Sequence, residues 1–418
     1  MAPSSILFTD VTIFDGIHSE PWPGEVLVRG ERIESVSRRA GTLRGDRQIR
    51  GGGATLMSGL CDAHTHFSWN DAPSLNHLGT TPPEDHTVFA VKAARTYIDM
   101  GYTMCVGASS AKMRLDVVIR DAINDGTIPG PRLLACCTEF STPEGTLLPG
   151  ASIVVSGPGE FRAAASEVIE LGVDVIKIIC SGEEITGTLR ANDTYVTEEE
   201  LAAVVEVAHA RGRKVSVHAR STESIKRCLR AGIDFLYHAS YIDEEGLDLL
   251  EARKDRVFVA PGVNWIITTL HDAAPWGYAP SAAEAAGYAR ELEACVVGIR
   301  AMRSRGIRVL PGGDYGFAWC PHGTYARDLK HFVDLFGYTP AETLRAATVW
   351  GGQMMGRPNE LGKVAPGYFA DLLLVDGNPL SDVTILQDRT RLLAIMKAGQ
   401  FHKEPARDSP LLLTTRRT

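Results

Sequence analysis

His64 and His66 stand one residue apart, directly after the apolar run 56–60. In an extended backbone, residues i and i+2 point the same way, so two imidazoles at a strand end can grip one metal ion. Alone, the pair is also what two ordinary surface histidines look like. The later chain adds to it. Lys177 interrupts the apolar run 173–180, His218 ends 214–217, His238 ends 233–237, and Asp314 ends 307–313. Each falls on or at the end of its own strand-like segment.

The residue types fit one chemistry. Imidazole suits zinc and similar borderline metals, and carboxylate oxygen completes such sites. His64, His66, His218, His238 and Asp314 are enough for two divalent ions, with zinc as the expected metal. Lys177 is the odd member, because an ammonium beside two dications is strongly repelled. Carboxylation by CO2 would turn it into an anionic carbamate able to bridge both ions. Such a pair lowers the pKa of bound water and makes a bridging hydroxide available to attack a carbonyl. Asp314 is the catalytic candidate, a general base that takes the water proton and returns it to the leaving group.

These residues need elements that carry them to one place. From about 58 to 355, strand-like runs alternate with helical ones. Helices are expected over 87–100, 115–124, 159–171, 198–211, 221–231, 244–253 and 282–305. Thr197 reads as an N-cap and Gly212 as a stop for the helix between them. Eight strands can be counted from 56–60 to 307–310, which favours an α/β fold, the closed (β/α)8 TIM barrel. Residues at the C-terminal ends of barrel strands converge on one mouth. No Gly-x-Gly-x-x-Gly follows the first strand, which weakens a dinucleotide-binding reading. Both chain ends have a different texture of short strands and Gly-containing turns. Segments 1–57 and 356–418 are therefore expected to form one composite β-sandwich, with the barrel at 58–355.

Bulk composition narrows the class. The chain has 418 residues, 44% hydrophobic and 22% charged, with net charge −8. This is ordinary for a soluble globular protein, and the balance gives no reason to expect nucleic acid or an anionic membrane as partner. A secretory leader is not visible at the N-terminus, and no apolar run reaches the ~18 residues of a membrane span. The eight cysteines are scattered without a Cys-x-x-Cys, as expected for reduced thiols in a cytoplasm.

The set His64, His66, Lys177, His218, His238, Asp314 resembles that of the amidohydrolase superfamily, in particular its imidazolonepropionase-like branch of metal-dependent dipeptidases and ochratoxinase-type amidases. The resemblance extends over nearly the whole length, through segments 126–132, 340–348 and 361–371. It implies that His64, His66 and Asp314 hold one metal, His218 and His238 the other, and that carboxylated Lys177 bridges them. One departure stands out. After the third strand many relatives carry a Gly-Gly-His-Gly stretch whose histidine contacts substrate; here the residues are Ser141, Thr142, Pro143, Glu144, Gly145 and Thr146. Dipeptide specificity is therefore not carried over. His322, followed by Gly323, does match a family pattern for substrate contact, although a loop histidine bonded to backbone fits equally.

Trp69, Trp265, Phe317 and Trp319 follow predicted strands, so their loops should border the mouth and favour an aromatic or apolar substrate group. Arg220 and Tyr237 are candidates for a carboxylate or carbonyl, against a structural ion pair for Arg220 and an outward-facing ring for Tyr237. Asp62 could ligate or orient. The expected function is hydrolysis of an amide C–N bond in a small molecule such as an N-acyl amino acid, by a homo-oligomeric enzyme. Carbamate, urea, ester or lactone hydrolysis, metal-dependent decarboxylation, and a non-catalytic binding role are the alternatives.

Overall fold

A computed structural model describes residues 5–405 and the strand Leu412–Leu413. Residues 1–4 and the rest of 406–418, assigned above to the composite domain, lie outside the described residues.

Two parallel sheets make the central body. Leu60–Thr65, Tyr102–Gly107 and Arg132–Leu134 pair in that order. Val175–Ile179, Lys214–Ala219, Phe235–His238 and Phe258–Ala260 form a second parallel run, extended at one edge by Glu139–Ser141 and Ser152–Val154. Single parallel bridges join them into a ring. Cys136 meets Val175, and Val259 meets Val309. The Ala63 amide then donates to the Pro311 carbonyl at 3.1 Å, so eight parallel segments close on themselves. The fold is an α/β barrel. Its strands are rich in Val, Ile and Leu and buried on both faces, as a sheet wrapped in helices requires. Ala63, Met104, Val106, Val175, Phe235, Tyr237 and Leu310 share one apolar cluster. The helix Glu198–Ala210 shows why the outer layer forms where it does: Thr197 and Glu200 make a reciprocal capping box, and Gly212 leaves the helix with a φ of 67°.

Three expectations about elements are corrected. The first barrel strand is not 56–60 but Leu60–Thr65. Thr55–Ser58 pairs instead with Ser5–Phe14 and Leu372–Val375. The chain changes sheets at Gly59, where a Cβ would meet the Thr103 side chain at 2.2 Å. An unbroken apolar run carries no mark of such a switch. The helix over 282–305 is broken into Pro280–Ala286 and Tyr288–Ser304 by Gly287, whose φ is 109°. A further helix, Val263–His271, arises from a sequence rich in β-branched residues that gives no helical signal of its own.

Strands from both ends of the chain share one nine-stranded sheet, with Ser5–Phe14 paired to Trp22–Arg29, Arg47–Arg50 and Thr55–Ser58. Arg132 ties the barrel to this sheet through two bonds to Asp371, at 2.9 and 3.2 Å. No helix among the described residues is long and apolar enough to cross a membrane.

Candidate metal centre

His64 lies inside the first barrel strand and His66 just beyond it. Asp62 fixes this turn of chain: its Oδ1 accepts from the His64 amide at 3.0 Å and its Oδ2 from the Tyr97 hydroxyl at 3.1 Å. With both oxygens engaged, Asp62 orients the strand end. His66 Nδ1–H donates to the Ser109 carbonyl at 3.1 Å, which turns Nε2 toward Asp314 Oδ1 at 3.0 Å. His64 Nε2 is 3.6 Å from the same oxygen. Ligand atoms of His64, His66 and Asp314 lie within 4.8 Å of one another.

Next to this trio the His238 ring lies 5.1 Å from His64 and 4.4 Å from His218, centroid to centroid. His218 Nε2–H donates to the Gly182 carbonyl at 3.2 Å, leaving Nδ1 as its electron-pair donor. Lys177, the middle residue of its strand, is 2% exposed and lines the same cavity. Its Nζ lies 4.3 Å from the Tyr237 ring centroid.

Backbone strain accompanies two of these positions. His238 has a φ of 72° and Asp314 of 62°, a region that non-glycine residues enter only where surrounding structure holds them. The consequence is visible at Tyr237 and His238. Alternation would send neighbours to opposite faces, yet Tyr237 stacks on the His64 ring at 4.1 Å while His238 lines the cavity.

Burial dominates the electrostatics. It pushes His64, His218 and His238 well below the ordinary histidine range, which favours the neutral, metal-binding imidazole. Burial likewise drives Lys177 down to about 8, against the pull of Glu139 and Asp314. For Asp314 burial acts upward, but His64, His66 and Lys177 outweigh it and keep the carboxyl ionised. His64 Nδ1, His66 Nε2, His238 Nδ1 and Asp314 Oδ1 are all buried without a hydrogen-bond partner. Buried polar atoms rarely stay unpaired, and this donor set of imidazole nitrogen and carboxylate oxygen fits divalent metal.

Residues 55–401 match the model of the Amidohydrolase family. The chain belongs to the amidohydrolase family. It is accordingly a hydrolase of C–N bonds. It is 26% identical over 381 residues to the ochratoxinase of Aspergillus niger, covering 84% of this chain and 76% of that protein. The crystal structure of A. niger ochratoxinase superposes with a TM-score of 0.85 at 23% identity, covering 97% of this chain and 96% of that one. A Xaa-Pro dipeptidase with methionine in its active site gives a TM-score of 0.84 at 23% identity, over 96% of this chain and 100% of that one. These two likenesses establish the shared fold.

In this amidohydrolase the expected substrate residues divide. Trp69 lines the cavity, stacked on the His66 ring at 3.5 Å, and Trp265 and Phe317 line it as well. Arg220 also lines it, but its guanidinium is paired with Glu183 and Glu291. Three further candidates lie outside the cavity wall. Tyr237 backs His64 and Lys177 and is not part of the wall. His322 bonds the Trp69 carbonyl at 2.8 Å and the Tyr325 hydroxyl at 3.0 Å, holding two loops together. Trp319 donates Nε1–H to Thr269 at 3.0 Å and borders an outer groove. Sequence reasoning missed Glu139 and Glu183, both buried in the cavity wall. Glu139 sits on a short strand pairing with Val175–Ile179. A carboxylate in an otherwise uncharged stretch, 133–143, was the available signal.

Proposed function

We propose that this amidohydrolase cleaves the amide bond of a small molecule with an apolar or aromatic group, using two divalent ions, zinc by preference. His64, His66 and Asp314 would hold one, His218 and His238 the other, and carboxylated Lys177 would bridge them. The observation that carries this reading is the set of unpartnered imidazole and carboxylate atoms around one buried cavity. Bound there, the ions supply positive charge that acidifies water and polarises the amide carbonyl.

The chain's own residues do the rest. Asp314, held ionised, takes the proton of the attacking water and passes it to the leaving nitrogen as the C–N bond breaks. Burial favours the neutral Lys177 amine, the form that reacts with CO2. His66 and His218 are oriented by their bonds to the Ser109 and Gly182 carbonyls. Trp69, Leu147, Leu148, Trp265 and Phe317 give the cavity an apolar wall that displaces water from the reacting groups. The eight cysteines are all free and buried, which supports a reducing cytoplasmic setting.

Elemental analysis of the active protein, joined to rates on matched amides, esters and carbamates, tests the reading. About two divalent ions per chain and release of an amine plus a carboxylic acid are expected. Full turnover without metal, or loss of CO2 from substrate without uptake of water, overturns it.

A further inference from the structure

Among the residues lining the metal cavity, only Glu139, Glu183 and Arg220 are acidic or basic and lie outside the proposed ligand set. Arg220 is the one wall cation that could meet a substrate carboxylate, and it is 1% exposed. Each of its terminal nitrogens already faces a carboxylate. Nη2 pairs with Glu183 and Nη1 with Glu291. Both acids are themselves held: Tyr288 donates to Glu183 Oε1 at 2.9 Å, and Ser240 donates to Glu291 Oε1 at 2.6 Å. The backbone amide of Arg220 donates to Ser181 Oγ at 2.8 Å, and the guanidinium lies 5.5 Å from the Trp265 ring centroid. Arginine recognises a carboxylate with two parallel N–H groups. Here Nε–H is buried and without a partner, and the remaining N–H of each Nη sits on a nitrogen already paired to a carboxylate. An incoming carboxylate would have to share a guanidinium whose charge two buried acids already face, whereas a neutral carbonyl oxygen needs only one N–H.

The charge count points the same way. One guanidinium faces Glu183 and Glu291, and Glu139 adds a further carboxyl to the wall. A substrate carboxylate placed at Arg220 would be desolvated beside acidic groups, on a guanidinium that Glu183 and Glu291 already face. The rest of the wall is Trp69, Leu75, Leu147, Leu148, Ile179 and Trp265, with Ile185 and Phe317 beside them.

We infer that the Glu183–Arg220–Glu291 triad sets charge selectivity, so that the amide cleaved carries no carboxylate on its leaving amine. This rests on the amide-hydrolysis reading above and narrows it, away from N-acyl amino acids and toward uncharged apolar amides. The triad is a specificity device: it cancels the arginine that would otherwise collect anionic substrates.

The test compares N-benzoyl-2-phenylethylamine with N-benzoyl-phenylalanine, which differ by one carboxylate, on the metal-loaded full-length protein. The neutral amide is expected to lead in kcat/KM by about ten-fold or more. Equal rates, or preference for the acid, overturn the inference. If neither is cleaved, calorimetric titration of the same pair decides: tighter binding of the neutral compound supports it, and equal binding, tighter binding of the acid or no binding of the neutral compound overturns it. Failure of a broad panel of amides to turn over sinks the hydrolysis reading and leaves this binding result standing by itself. In Glu183→Gln, which removes one of the two carboxyl groups facing Arg220 while keeping an acceptor oxygen, the acid should gain about ten-fold relative to the neutral amide. An unchanged ratio in a variant with wild-type circular dichroism removes the triad as its cause. The wild-type comparison holds even if that variant does not fold.

Discussion

His66 Nε2 and Asp314 Oδ1 face each other across 3.0 Å, yet neither completes a hydrogen bond. The His66 proton is on Nδ1, committed to the Ser109 carbonyl, and burial keeps the ring neutral. Two electron-pair donors therefore point at one another. Such an arrangement is unfavourable until a cation lies between them.

Metal should thus act as a ligand of the folded state. Zinc at about 100 times its Kd is expected to stabilise the protein by about 2.7 kcal/mol, and His66→Ala should lose most of that gain. Thermal unfolding with zinc and with chelator measures it; an unchanged midpoint in both would remove the metal from the site.

Asp314→Asn keeps the shape of the side chain and removes its basicity. A fall in kcat of about 10²- to 10⁴-fold is expected, with KM changed only a few-fold. Steady-state kinetics on a cleaved amide check this, and an undiminished kcat would take proton transfer away from Asp314.

Lys177→Ala removes the proposed bridge while leaving a small apolar residue in a buried strand. Metal content and activity should fall together, and short carboxylic acids should restore part of both. Elemental analysis with and without propionate reads the result. Normal metal content without any added anion would exclude the carbamate.

Gly262 has a φ of 63°, and a Cβ there would stand 3.0 Å from His238 Nδ1. Gly262→Ala is therefore expected to displace His238 as well as to add roughly 1–2 kcal/mol of backbone strain. Metal affinity should suffer more than the unfolding midpoint of the metal-free protein. Equal losses would make the glycine a matter of folding alone.

Asp116 supplies a pH test away from the cavity. Burial pushes its carboxyl up to about 7, against the bond from the Cys136 amide. The folded state thus keeps a proton that the unfolded chain releases above its ordinary value of 3.8. Stability is lost as pH rises between these values, by up to about 1.4 kcal/mol per pH unit, and is level above about 7. Asp116→Asn should abolish this slope, so its advantage over wild type grows from pH 5 to pH 8. Urea unfolding at the two pH values checks the sign; a constant difference would show that Asp116 stays ionised in the fold.

Much of the barrel was legible in local signals. Apolar runs alternating with capped helices announce parallel strands, because each run must be buried on both faces and each helix on one. The N-cap at Thr197 needs only residues within one turn, and it forms as read. Where the reading failed, the cause was distant. The run ending at Leu60 splits at Gly59, where Thr103 of another strand leaves no room for a Cβ. His322 and Trp319 sit in the expected loops, and their bonds to Trp69 and Thr269 join segments that no local signal connects.

The sequence by itself determined the kinds of donor, their order, and that each belongs to a separate strand-like run, since these follow from composition and period. Tertiary structure decided which of them face one cavity. His238 enters it through a left-handed backbone that strand alternation does not foresee. Arg220 is tied to Glu291, 71 positions away. Spacing along a strand is a local property, whereas partners for a buried charge are chosen by whatever the closed barrel brings against it.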